Sequence, residues 1–289
     1  MENDINLTKE SAEILYDKLN EHGFIFQEKC AEELRENTSQ TNWMVAKTEY
    51  PVSSEIKNTR IDIILHDVLS YPQNGNRIFA IVECKKVNPI RGYWLFGQPI
   101  SLSNRDALVL HIKRSSITGG EPSLSYNRNK IPFEIHSILV DNWWLQVSKK
   151  GNKGKYESSP QPIEDSLLQV CIGVSGLSKE ISMNMMKYPQ ESSAVLVPII
   201  ITSAPLYYAE YNLIDADLVS GYINKNKVKF NKIEWIQINY PASPTIFFNK
   251  LKDTSIIDSF TWLRKENQSS MYIVNSKSMI KFFSNLHLW

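Results

Sequence analysis

Apolar positions near the N-terminus recur at helical spacing and then give way to strand-like runs. Ile14, Leu15 and Leu19 predict an amphipathic helix over 11–21, which Gly23 ends. A second helix is predicted over 26–36, with Phe26, Cys30, Ala31 and Leu34 on one side and Glu28, Glu32, Glu33 and Glu36 on other positions. The polar stretch NTSQTN at 37–42 reads as a loop. A strand follows over 43–52, bounded by Pro51, and SSEIKN reads as a turn. RIDIILH at 60–66 is an apolar run rich in β-branched residues; after the turn-forming YPQNGN comes another strand, RIFAIVECK at 77–85. A helix followed by three strands on short turns predicts an antiparallel meander packed on that helix.

The remainder is less periodic. Between 87 and 160 only 107–112 and 134–147 read as strands, the second interrupted by the turn signal Asp141-Asn142. KKGNKGKYESSPQP at 149–162 reads as an exposed loop. A long helix is predicted over 163–186; Pro162, Glu164 and Asp165 suit its start, and Gly173 and Gly176 count against it. Residues 194–202 form an apolar run, as in a strand buried on both faces, and Pro198 within it predicts an edge or a bulge. Residues 228–238 alternate in part and stop near Pro241, as an edge or final strand would. A short strand at 271–274 and a helix over 277–286, with Ile280, Phe283 and Leu286 on its apolar side, complete the pattern. The expectation is one α/β domain with a mixed central sheet flanked by helices. Its core is placed at about 11–86 and 161–240, with an insertion at about 87–160 and a C-terminal extension at about 241–289.

Composition narrows the class. The 289 residues are 42% hydrophobic, and the mean hydropathy is −0.30, as in a globular chain rather than a disordered one. A net charge of +1 removes the overall basic bias of many nucleic-acid binders but leaves room for a local basic face. Cys30, Cys84 and Cys171 are far apart and odd in number, which excludes a disulfide framework and a zinc site and suits a reducing compartment. The polar start MENDINLTKES is unlike a signal peptide, and the most apolar stretch, 194–201, is far short of the ~20 residues of a spanning helix. The expectation is a cytoplasmic protein with no membrane partner.

Two strands carry the chemistry. In Ile61-Asp62-Ile63-Ile64-Leu65 a carboxylate interrupts an apolar run, and in Ala80-Ile81-Val82-Glu83-Cys84-Lys85 a second carboxylate and a lysine end another. Strand side chains alternate, so Glu83 and Lys85 share a face and Cys84 points away. A buried, unpaired carboxylate costs several kcal/mol, and a divalent cation is a natural compensator. A lysine beside two metal-binding carboxylates can orient or deprotonate water and stabilise charge on a phosphorane.

In these residues — Asp62 in RIDIIL, then Glu83, Cys84 and Lys85 in FAIVECK — the chain resembles the PD-(D/E)xK nuclease superfamily, which includes many restriction endonucleases. The resemblance covers about residues 20–86, and the usual proline before the first acid is Ile61 here. It implies an αβββαβ restriction-endonuclease-like core, the later αβ coming from 163–186 and 194–202. It also implies phosphodiester hydrolysis with Mg²⁺ (Mn²⁺ may substitute), Asp62 and Glu83 as metal ligands, the Cys84 carbonyl as a third, and Lys85 as the group acting on water or the transition state. Many members add a helix acid, for which Glu28 is the first candidate and Glu32, one turn on, the second. Gln169 falls in the later helix, where some relatives place a polar residue near the site.

DNA is expected ahead of RNA as substrate. Lys86, Lys150 and Lys153 are candidate phosphate contacts, as are the groups Arg91, Arg105, Lys113, Arg114 and Lys225, Lys227, Lys229, Lys232; solvated loops explain such groups equally well. The five histidines show no ligand spacing. A homodimer, or association with other subunits of a prokaryotic restriction or anti-phage system, would follow from the resemblance alone. The alternative reading is a non-catalytic nucleic-acid-binding or assembly module on the same fold.

Overall fold

A computed structural model describes residues 9–53, 58–69, 76–87, 92–115, 123–150, 155–187, 193–241 and 268–287. Helices α1 (Lys9–Glu21) and α2 (Phe24–Glu36) come first, followed by a single turn, α3 (Thr38–Thr41), where a loop was expected. The hydroxyls of Thr38 and Thr41 bond carbonyls of the preceding turn, which is how this polar stretch stays helical. The apolar side of α1 is not packed as its periodicity suggests: Ile14, Leu15 and Leu19 are all exposed.

The strands β1 (Trp43–Ser53), β2 (Asn58–Asp67) and β3 (Asn76–Lys85) form the expected antiparallel meander. Helix α4 (Gln161–Lys187) then crosses over, and β9 (Ser193–Thr202) pairs parallel to β3 along its whole length. Gly173 and Gly176 serve the approach of α4 to the sheet. A Cβ on Gly176 would lie 2.7 Å from Val52 Cβ, and one on Gly173 would lie 3.0 Å from Ile61 Cγ1. Each glycine costs about 1 kcal/mol of helix propensity, and close packing outweighs it here.

Residues 87–160 divide between two sheets. β5 (Ser101–Ser115) and β6 (Ser123–Val140) join the main sheet, while β4 (Gly92–Phe96), β7 (Trp144–Lys150) and β8 (Lys155–Ser159) join a second one. The Asp141-Asn142 break is where the chain passes from one sheet to the other. The second sheet is completed by β10 (Leu206–Tyr211) and β11 (Val228–Ile233), in the order β11-β10-β4-β7-β8. The expected strand at 228–238 is therefore two strands parted at Glu234: β11 is an edge of the second sheet, and β12 (Trp235–Pro241) enters the main one.

The main sheet runs β1-β2-β3-β9-β13-β12-β6-β5, where β13 is Gln268–Asn275, and β5 also pairs with β9. Pairings thus close a circuit of five strands through β9, β13, β12, β6 and β5. Pro198 is neither at an edge nor at a bulge. On one side of β9, β5 pairs with residues 193–196 and β13 with residues 199–202. Pro198 lies at the handover between them, where a missing N–H leaves no ladder incomplete.

Two apolar clusters flank the main sheet. One is shared with α4 and the second sheet, the other with α2 and a short C-terminal helix, α5 (Met279–Phe283). The three cysteines are buried and none is in a disulfide, and among the described residues no helix is long and apolar enough to cross a membrane.

Candidate active site

The β2–β3 ladder runs from His66↔Phe79 to Ile63↔Val82 and then stops. β3 stays paired to β9 as far as Lys85, so it is β2 that departs. The next N–H that β3 offers on this side, that of Cys84, is taken by a side chain: Asp62 Oδ2 accepts it at 2.7 Å. A strand residue's N–H and C=O face the same neighbour, so the Cys84 carbonyl opens onto the same gap. β2 also turns over here. Ile61 and Ile63, two residues apart, belong to opposite apolar clusters, although a regular strand would put them on one face.

Across the gap, Glu83 is only 4% exposed, and its Oε1 accepts from Lys85 Nζ at 3.2 Å. The Lys85 side chain is 33% exposed and lines a cleft of about 490 Å³, whose far wall is Gly92, Trp94, Gln146 and Ser148 of the second sheet. The expected Asp62, Glu83 and Lys85 are therefore brought to one place.

A third carboxylate joins them from β1. Thr48 pairs with Ile63 and Tyr50 with Ile61, which sets Glu49 beside Asp62 on the side away from Glu83. Glu49 has φ +50°, a left-handed backbone that costs a non-glycine residue roughly 1–2 kcal/mol. Gln27, buried on α2, holds it there: its Nε2 donates to Glu49 Oε1 and, at 3.4 Å, to the Asp62 carbonyl. Arg60 Nη1 lies 3.4 Å from Glu49 Oε2. Sequence reasoning missed both residues. A glutamate carries no sequence mark for positive φ, and aligning Glu49 with Asp62 requires knowing the register shift between Val45 and Lys47.

The electrostatics follow from crowding acids out of water. Burial, then the neighbouring Asp62 charge, raises the Glu83 carboxyl to about 8 against the pull of Lys85. Burial raises Asp62 to about 6, opposed by the Cys84 N–H and Lys85 and assisted by Glu49. With Glu83 raised to about 8, Lys85 and Arg60 stand against Asp62 and Glu49 at neutral pH, and ionising Glu83 leaves the cluster one positive charge short. Its donors are hard oxygens, the ligands that Mg²⁺ and Mn²⁺ prefer. Among the described residues no three His, Cys, Asp or Glu side chains converge on one point at metal-ligand distance. Asp62 and Glu83 each hold a hydrogen-bond donor of the chain instead.

Of the other expected site residues, Lys86 lines the same cleft as Lys85. Glu28 is exposed and lines a groove of about 520 Å³ between α2 and β1, together with Gln27 and Glu49. Lys29 sits 3.0 Å from Glu32 and 3.1 Å from Glu33. Lys86 donates to the Asn20 carbonyl near the end of α1. Gln169 is half-buried on α4. Arg105 Nε donates to His136 Nε2 at 2.7 Å, and Arg114 to the Met185 carbonyl at 3.2 Å. Arg91, Lys153 and the side chain of Lys150 lie outside the described residues. No protein-family model, no curated protein and no solved structure matches the chain.

Proposed function

We propose that the chain is a metal-dependent nuclease with a restriction-endonuclease-like core, cutting DNA internally. The order α2, β1, β2, β3, α4, β9, with β9 parallel to β3, supports the αβββαβ reading. The observation that carries the function is the splayed β2–β3 pair, which gathers Asp62, Glu83 and Lys85 at one gap. Asp62 and Glu83 would hold the ion, with the Cys84 carbonyl facing the same gap. Once bound, Mg²⁺ or Mn²⁺ supplies a Lewis acid for the scissile phosphate and lowers the pKa of the attacking water.

The chain's own groups do the rest. The Cys84 N–H fixes one oxygen of Asp62 and so aims its carboxylate. Glu83 must ionise to serve, and its raised pKa makes that easier with rising pH. Lys85, exposed on its cleft side, orients the water and places a positive charge against the developing phosphorane. The test is supercoiled plasmid incubated with Mg²⁺, Mn²⁺ or EDTA, beside Lys85→Ala. Nicking or linearisation that needs metal and drops by at least a hundredfold in Lys85→Ala is expected. Equal cleavage by the variant would overturn the assignment.

A further inference from the structure

The cleft that Lys85 faces carries its positive charge on one wall and neutral polar groups on the other. Lys85 and Lys86, at the end of β3, line the near side. Gln146 and Ser148 of β7 line the far side with Trp94 and Gly92 of β4, and the first turn of α4 adds Pro162 and Asp165. Gln146 and Ser148 are two residues apart on one strand and share a face; across the ladder they stand opposite Trp94 and Gly92.

The far wall is fixed by the fold itself. Trp94 is fully buried, so its ring backs the wall, and its Nε1–H donates to Gln146 Oε1 at 3.1 Å. That bond settles which end of the amide is which. Gln146 Nε2 then donates to Ser148 Oγ at 3.0 Å. The amide keeps a second hydrogen and the hydroxyl its own, so the wall holds two donors in a set orientation. On the α4 side, Asp165 Oδ1 accepts from Gln161 Nε2 at 2.6 Å, and its other oxygen is a further acceptor. A few fixed polar groups of this kind are what orient a ligand in a pocket.

Size and polarity choose the occupant. About 490 Å³ falls within the roughly 300–1,000 Å³ of small-ligand pockets. A duplex, whose major groove alone is about 12 Å wide, does not enter a cleft this small. One nucleotide does, and its two ends match the two walls. Cationic side chains line the near wall alone, so the phosphate belongs there, and the amide and hydroxyl are left for the base edge. Asp165 would repel a second phosphate and can accept from an exocyclic amine.

We propose that this cleft is a nucleotide pocket: one nucleotide of the substrate strand, unpaired and turned out of the helix, sets its base edge on Gln146 and Ser148 while its phosphate lies at Lys85. This rests on the nuclease reading for the identity of the ligand. It narrows the substrate to nucleic acid with an unpaired nucleotide at the scissile position, single-stranded or locally opened. Extruding a base costs least where that base has no partner, so a single bulged nucleotide is the sharpest probe.

Two fluorescein-labelled 30-base-pair duplexes, one fully paired and one with a single unpaired central nucleotide, are titrated in EDTA and followed by anisotropy. The proteins are the full-length chain, Gln146→Glu and Ser148→Ala. Gln146→Glu keeps an acceptor for Trp94 Nε1 and withdraws the amide donors; Ser148→Ala withdraws the hydroxyl. Melting temperatures check the fold of both variants. The wild type is expected to bind the bulged duplex at least tenfold more tightly than the paired one. Both variants are expected to bind the paired duplex as the wild type does and to lose most of that preference, whereas a merely structural role would lower both affinities together. Equal wild-type affinity for the two duplexes, no binding to either, or a preference intact in both variants would overturn the proposal. A variant-sensitive bulge preference without metal-dependent plasmid cleavage would sink the nuclease reading alone; metal-dependent cleavage with equal affinities would sink the pocket alone.

Discussion

Replacing Glu83 by Gln removes a charge that the folded chain holds at a cost. The Glu83 carboxyl titrates at about 8 in the fold against an ordinary 4.5, because it is buried beside Asp62. The folded state therefore binds its proton more tightly than the unfolded state does. The Glu83 contribution to stability is greatest below about pH 4.5, falls as pH rises, and levels off above about pH 8. Each decade of that interval is about 1.4 kcal/mol, so ionisation opposes folding by on the order of 2–3 kcal/mol at neutral pH once screening through the open side of Lys85 is allowed for. Glutamine keeps the shape and an acceptor for Lys85 but does not titrate. Urea unfolding in EDTA at pH 5 and pH 8 should show the wild type losing most of this amount and Glu83→Gln losing much less. Adding Mg²⁺ should raise the melting temperature of the wild type more at pH 8 than at pH 6, since the ion competes with the Glu83 proton, and should leave the variant nearly unmoved. Parallel pH profiles for the two proteins would refute the reasoning and mean that Lys85 alone neutralises Glu83.

Two further substitutions probe the neighbourhood. Glu49→Asn puts a residue tolerant of positive φ at φ +50° but, one methylene shorter, draws its oxygen back from Gln27 and gives up the charge beside Arg60; urea unfolding in EDTA should show the backbone relief and the lost contacts cancelling to within about 1 kcal/mol, while the thermal shift with Mg²⁺ shrinks. Gly176→Ala should lower stability by about 1–2 kcal/mol despite the better helix propensity of alanine, because its Cβ meets Val52 Cβ at 2.7 Å; a stabilised variant would show that α4 can back away from the sheet.

What the sequence disclosed follows the range of each signal. Period and turn residues are local, so α2, the β1–β3 meander, α4 and β9 lie within a few residues of their expected limits. Asp62, Glu83 and Lys85 could be found for the same reason: each is a charge interrupting or ending an apolar run. Signals that depend on partners were not legible. β4 and β10 are five and six residues long and gain their identity from pairing with each other. Pro198 misled because its tolerance comes from two other strands meeting opposite it. β11 and β12 read as one strand because only a partner sheet distinguishes them. Glu49 was hidden by a backbone angle that its residue type does not announce. At the 37–42 turn, threonine hydroxyls decided the outcome against composition.

The circuit of strands has a consequence for how the chain is made. β13, from residues 268–275, is wedged between β9 and β12, so the main sheet cannot be finished until those residues leave the ribosome. Until then half of one side of β9 stands open, in a strand as apolar as AVLVPIII, beside a β12 that lacks its antiparallel neighbour. If the earlier strands pair as they emerge, the nascent sheet carries an unpaired apolar edge at its centre until β13 arrives, and truncation before residue 268 leaves that edge open to aggregation.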